Sequence, residues 1–135
     1  MVDVANVMGA RADGWWRDRA GAALRLGREV LALARRPGAV NAGAWVLVLE
    51  GRARDAVAPL RDAALLPAEA GDGEAVPVSV VSAPGSGDDA IVGAVAEVIS
   101  RGESCLVVTA DRELRQRCEE LNASVVGPGW LLRLL

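Results

Sequence analysis

Apolar residues along this chain alternate between short β-branched runs and stretches at helical spacing, a rhythm that predicts strands interleaved with helices. The opening Met1-Val2-Asp3-Val4-Ala5-Asn6-Val7 reads as a first strand that breaks at Gly9. Trp16, Ala20, Ala23, Leu24, Leu31 and Ala34 recur at helical spacing up to Pro37-Gly38, which places a helix near 15–35. The continuous apolar run 44–49 predicts a second strand buried on both faces. Segment 53–66 fits a short helix interrupted at Pro59, and 67–75, rich in Gly, Ala and acid, an exposed loop. A third strand is expected over 76–81, where Pro77 suits a sheet edge. Ser86-Gly87-Asp88-Asp89 opens a helix whose Ile91, Val95, Val98 and Ile99 share a face, ended by Gly102. A fourth strand over 104–109, a helix from 111 to about 121 and a short fifth strand over 124–126 follow. The tail 130–135 is apolar and must pack on the domain or on a partner.

This alternation specifies α/β architecture: a three-layer α/β/α sandwich around a mostly parallel sheet of about five strands. At 135 residues the chain is expected to form one domain, spanning 1–135, with no internal repeat. Its longest apolar run falls far short of the ~20 residues a membrane span needs, and no leader pattern precedes the first strand. The expectation is a soluble cytoplasmic protein with no membrane contact.

Composition then narrows the chemistry. With no His, histidine bases, Ser-His-Asp triads and His-bound zinc are excluded. All fifteen cationic side chains are Arg, so P-loop and Schiff-base chemistry are excluded too. Cys105 and Cys118 read as two reduced, buried thiols, too few for a zinc site without His. A net charge of −3 does not advertise nucleic-acid binding, although a site that concentrates acids masks the charge around it. What remains for catalysis is carboxylates, Arg and hydroxyls, for which a hard metal ion is the natural companion.

The carboxylates are placed suggestively. Asp3 sits in an apolar run with no predicted helix behind it to cap. Asp88 and Asp89 follow the third strand, and Asp111 follows the fourth. In an open parallel sheet ligands bind beyond the carboxyl ends of the strands, where the strand order reverses. Two of these acids also have a structural explanation: Ser86 with Asp89 matches a capping box, and Asp111 an ordinary N-cap. Three strand ends delivering acid to one edge nevertheless suggest a cation site, with Mg²⁺ or Mn²⁺ on Asp3, Asp88 and Asp111. Asn6 and Thr109 stand close by in sequence, suited to orienting a carboxylate or a metal-bound water. Arginines flank the same edge, and Arg17, Arg52 and Arg112 are the candidates for bidentate contacts to phosphate. Trp15 and Trp16 read as core or interface residues ahead of base-stacking platforms.

Val2-Asp3-Val4-Ala5-Asn6-Val7, Gly85-Ser86-Gly87-Asp88-Asp89-Ala90-Ile91 and Val107-Val108-Thr109-Ala110-Asp111-Arg112-Glu113-Leu114, in that order, resemble the NYN branch of the PIN-like nucleases, and its YacP-like members most. The resemblance covers nearly the whole chain. It implies strand order 3-2-1-4-5 and divalent-metal-dependent cleavage of RNA. Asp3 then matches the first-strand acid and Asn6 the amide after it. Asp88 matches the acid that opens the helix after strand three, with Asp89 one residue away as the alternative. Asp111, preceded by Thr109, matches the acid after strand four. YacP-like members often carry Asp at the end of strand two, where this chain has Glu50, and the acidic loop over 69–74 departs from a polyanion binder.

The leading expectation is therefore a metal-dependent ribonuclease acting on single-stranded or structured RNA. Two rivals remain: an inactive RNA-binding or partner-binding module on the same fold, and a hydrolase of small phosphate esters or nucleotides, which requires a closed pocket. The apolar tail and the Trp15-Trp16 pair make a homodimer a further partner to test for.

Overall fold

A computed structural model describes residues 1–67 and 76–135 of the chain. Five strands, β1 (Val2–Asp3), β2 (Trp45–Leu49), β3 (Val78–Ser82), β4 (Leu106–Val108) and β5 (Ser124–Val126), form one sheet in the order β3-β2-β1-β4-β5. Every pairing is parallel. Pro77 lies just ahead of β3, which is an edge strand as expected. The strand order reverses between β1 and β4, so the crevice favoured for ligands opens at the carboxyl ends of those two central strands.

Helices cover both faces because strand side chains alternate. Leu47 and Leu49 of β2 and Val108 of β4 face a core shared with α1 (Val4–Gly9), α2 (Arg19–Ala34), α3 (Val57–Leu65) and α6 (Pro128–Leu132). Val48 and Val107, their neighbours in the chain, face a second core with α4 (Gly87–Ser100) and α5 (Arg112–Glu120). This is the three-layer sandwich. Each fully buried Leu or Val stabilises it by roughly 1.5–3 kcal/mol. The carboxyl-terminal segment packs on the domain itself, with Leu131 fully buried in the first core and Trp130, Leu134 and Leu135 against it.

The helices depart from the sequence pattern in instructive places. The helix expected from residue 15 breaks in two: a 3-10 helix Trp15–Arg17, then α2 from Arg19, with Asp18 capping it by accepting the Gly21 N–H at 2.9 Å. Pro59 does not interrupt the next helix. A 3-10 helix Gly51–Ala56 runs straight into α3, and Pro59 falls in its first turn, where no intrahelical N–H is needed. Gly27 lets α2 and α3 meet closely, since a Cβ there would lie 2.5 Å from a methyl of fully buried Leu60. The loop expected over 67–75, with its acidic stretch 69–74, falls almost wholly outside the described residues.

Candidate functional site

The first strand is shorter than its apolar run suggests. β1 ends at Asp3, and residues expected to extend it instead form α1, with Val4, Val7 and Met8 buried on one face. A helix does start behind Asp3, correcting the sequence expectation. Asp3 is its N-cap, and its Oδ1 accepts the Asn6 N–H at 3.3 Å. Short apolar runs do not separate strand from buried helix by periodicity alone, and the helical spacing of 4, 7 and 8 was the available signal.

Capping explains one oxygen of Asp3 and leaves the other. Its Oδ2 accepts the Thr109 hydroxyl at 2.9 Å, from the residue that follows β4. The same hydroxyl oxygen accepts the Asp111 N–H at 3.1 Å, and Asn6 Oδ1 accepts the Ala110 N–H at 2.8 Å. Two side chains from the β1–α1 corner thus pin the exit of β4 across the crevice. Asp111 caps α5, the structural explanation open to it, accepting the Leu114 N–H at 2.9 Å. Asp3 is only 7% exposed and Thr109 fully buried. Burial pushes the Asp3 carboxyl up to about 6; the Thr109 and Asn6 hydrogen bonds oppose that shift, and the charges of Asp88 and Glu50 add to it.

Asp88 and Asp89 separate cleanly. Asp89 pairs with Arg117 of α5 at 2.9 Å on the exposed surface. Asp88 is half-buried, and its carboxyl lies above the usual range through burial and then through repulsion from Asp111 and Glu50. The capping box expected of Ser86 and Asp89 does not form, for Ser86 makes no side-chain cap. Glu50 takes that role from the end of β2, its carboxylate accepting the N–H of Gly87 at the start of α4. Gly87 permits this approach, since a Cβ would stand 2.6 Å from the Glu50 oxygen. Glu50 therefore joins the acids at the crevice, a placement that its position at the end of the second strand had signalled.

Asp3, Glu50, Asp88 and Asp111 thus come from four strand ends to one edge, near enough that Asp88 and Glu50 act on the Asp3 carboxyl and Asp111 and Glu50 on that of Asp88. Among the described residues, however, no group of three or more His, Cys, Asp or Glu side chains is disposed to hold a metal ion. Oxygens of Asp3, Glu50 and Asp111 are engaged by N–H and O–H donors, while Asp88 makes no comparable hydrogen bond. The donor type suits a hard cation, and Mg²⁺ generally takes only one or two carboxylates while keeping most of its waters.

Of the candidate arginines, Arg17 and Arg52 come together. They line a depression of about 500 Å³ with Trp16, Asp18, Arg19, Ala20 and Asp55. It is built from the start of α2 and the 3-10 helix after β2, and so lies on the carboxyl-edge side. Arg112 is the exposed first residue of α5 and does not line it. Arg19 and Asp55 were not singled out from the sequence; only proximity in space marks them. A second cavity, of about 380 Å³, lies at the opposite edge and includes Met1, Trp45, Cys105 and Trp130. Neither cavity is lined by Asp3, Asp88 or Asp111. Both cysteines are free, and burial pushes each thiol above its usual value. Among the described residues no helix is long and apolar enough to cross a membrane.

Comparison of the chain with protein-family models, with curated proteins and with solved structures returns no match.

Proposed function

We propose that this protein is a divalent-metal-dependent ribonuclease of the PIN-like kind, with its centre in the crevice between β1 and β4. The observation that carries the reading is the place of Asp3, nearly buried beside Asp88 and Glu50, where burial pushes its carboxyl up to about 6. A carboxyl shifted by burial and by neighbouring acids in a crevice marks a candidate functional site. Mg²⁺ or Mn²⁺ would supply Lewis acidity and an activated water. Asp88, the least encumbered of the acids, would be its principal anchor, with Asp3 and Asp111 contributing charge directly or through waters. Thr109 and Asn6 position Asp3 and the β4 exit; Arg17, Arg52 and Arg112 bind the phosphate backbone. Incubating purified protein with single-stranded RNA and Mn²⁺ tests this: Asp88→Asn and Asp3→Asn should each abolish cleavage, and Asp89→Asn should spare it. Cleavage that persists in the Asp3→Asn, Asp111→Asn double variant would falsify the assignment.

A second reading, an RNA-binding or partner-binding module without turnover, draws support from the absence of a three-carboxylate group among the described residues. Calorimetric titration with Mn²⁺ separates the two, since a module without a catalytic centre shows no heat of binding at the crevice.

A further inference from the structure

Trp16 is 57% exposed, although it reads from sequence as a core or interface residue. Its neighbour Trp15 packs against the core and meets the Trp16 ring edge-on, with centroids 6.0 Å apart and planes at 89°. That contact fixes the exposed ring without covering it. The Arg17 guanidinium lies over the Trp16 ring at 5.8 Å, and that of Arg19 over Trp15 at 5.5 Å. The ring borders the depression of about 500 Å³ that also holds Arg52, a volume within the range of small-ligand sites. Asp18 and Asp55 lie in the same depression, but the Asp18 carboxylate is committed to the Gly21 N–H. Among the described residues no ion pair joins Arg17, Arg19 or Arg52 to an acid. A held, largely exposed indole with guanidinium groups free of ion pairs beside it combines a flat apolar face with anion-binding capacity. An unpaired nucleotide presents the complement of both: a base plane and a phosphate.

We propose that this depression is a subsite for one unpaired nucleotide of single-stranded RNA, its base stacked on Trp16 and its phosphate held by Arg19 and Arg52. The choice of RNA rests on the ribonuclease reading, whereas the stacking contact itself needs no cleavage. Glu50, two residues before Arg52, belongs to the acid crevice, so a strand seated here leads toward it. Duplex RNA keeps its bases stacked inward and cannot make the contact.

The test measures fluorescence anisotropy of fluorescein-labelled decauridine, and of the same strand in a duplex, in EDTA so that no cleavage intervenes. Trp16→Ala should weaken single-strand binding about tenfold or more, while Trp16→Phe stays within about threefold of the wild type. The duplex should bind more weakly than the single strand and be indifferent to Trp16→Ala. Arg52→Gln should weaken single-strand binding and flatten its salt dependence. The proposal is overturned if the wild type does not bind decauridine, if Trp16→Ala binds it as tightly as the wild type, or if that variant loses both ligands equally. Because Trp16 is largely exposed, an unchanged far-UV circular dichroism spectrum is expected and excludes misfolding as the cause. Binding that depends on Trp16 in a protein that never cleaves RNA with Mn²⁺ sinks the nuclease reading and leaves the subsite standing. Cleavage with no Trp16 dependence of binding does the reverse.

Discussion

Replacing Asp3 by Asn should make the protein more stable at neutral pH and less stable in acid. The Asp3 carboxyl sits at about 6 in the folded chain against an ordinary 3.8. Its folded state therefore holds the proton more tightly than the unfolded chain does. The resulting stabilisation is complete below the unfolded value and is lost as pH rises through the folded one. A difference of about two pKa units corresponds to about 3 kcal/mol, so the ionised side chain at pH 7 opposes folding by roughly that amount. Asn is neutral throughout but offers one acceptor where Asp3 uses two, for the Asn6 N–H and the Thr109 hydroxyl. The unmet donor costs about 1 kcal/mol. The variant should thus gain about 2 kcal/mol at pH 7 to 8 and lose about 1 kcal/mol near pH 4. Urea denaturation followed by tryptophan fluorescence at one-unit pH steps measures this, and the difference between variant and wild type removes most contributions from other groups. A difference that stays flat between pH 4 and 8, or a variant less stable at pH 7, refutes the claim that Asp3 is held at the expense of folding.

Gly27→Ala should lower stability by about 1–2 kcal/mol despite the helix propensity it adds, because the new methyl meets Leu60 inside a packed core; a higher thermal midpoint would contradict the close α2–α3 approach. Asp111→Ala removes the acceptor of the Leu114 N–H and should cost about 1 kcal/mol in denaturant titration. Thr109→Val breaks the link between Asp3 and the Asp111 N–H and should cost about 1–3 kcal/mol, more at pH 8 than at pH 4, where a neutral Asp3 has less need of the hydroxyl; a loss independent of pH would mean the bond to Asp3 carries little of it.

Much of this protein is legible in its residue pattern. β2, β4 and β5 follow from apolar runs bounded by turn residues, and the α/β alternation follows from their spacing, because burial against a two-faced sheet demands that periodicity. Acid at the ends of β1 and β4 and after β3 was also visible along the chain. What neighbours each acid was not. Asp88 and Asp89 are adjacent and chemically alike, yet the turn of α4 sends one to the crevice and the other to Arg117 on α5. Asp3 caps a helix its apolar neighbours disguised as strand, since so short an apolar run fits either period. Trp16 is exposed because the chain breaks at Asp18 and takes the ring off the buried face of α2. Local sequence decides which elements form; packing between elements distant in the chain decides where each side chain points, and so which carboxylates meet at the crevice.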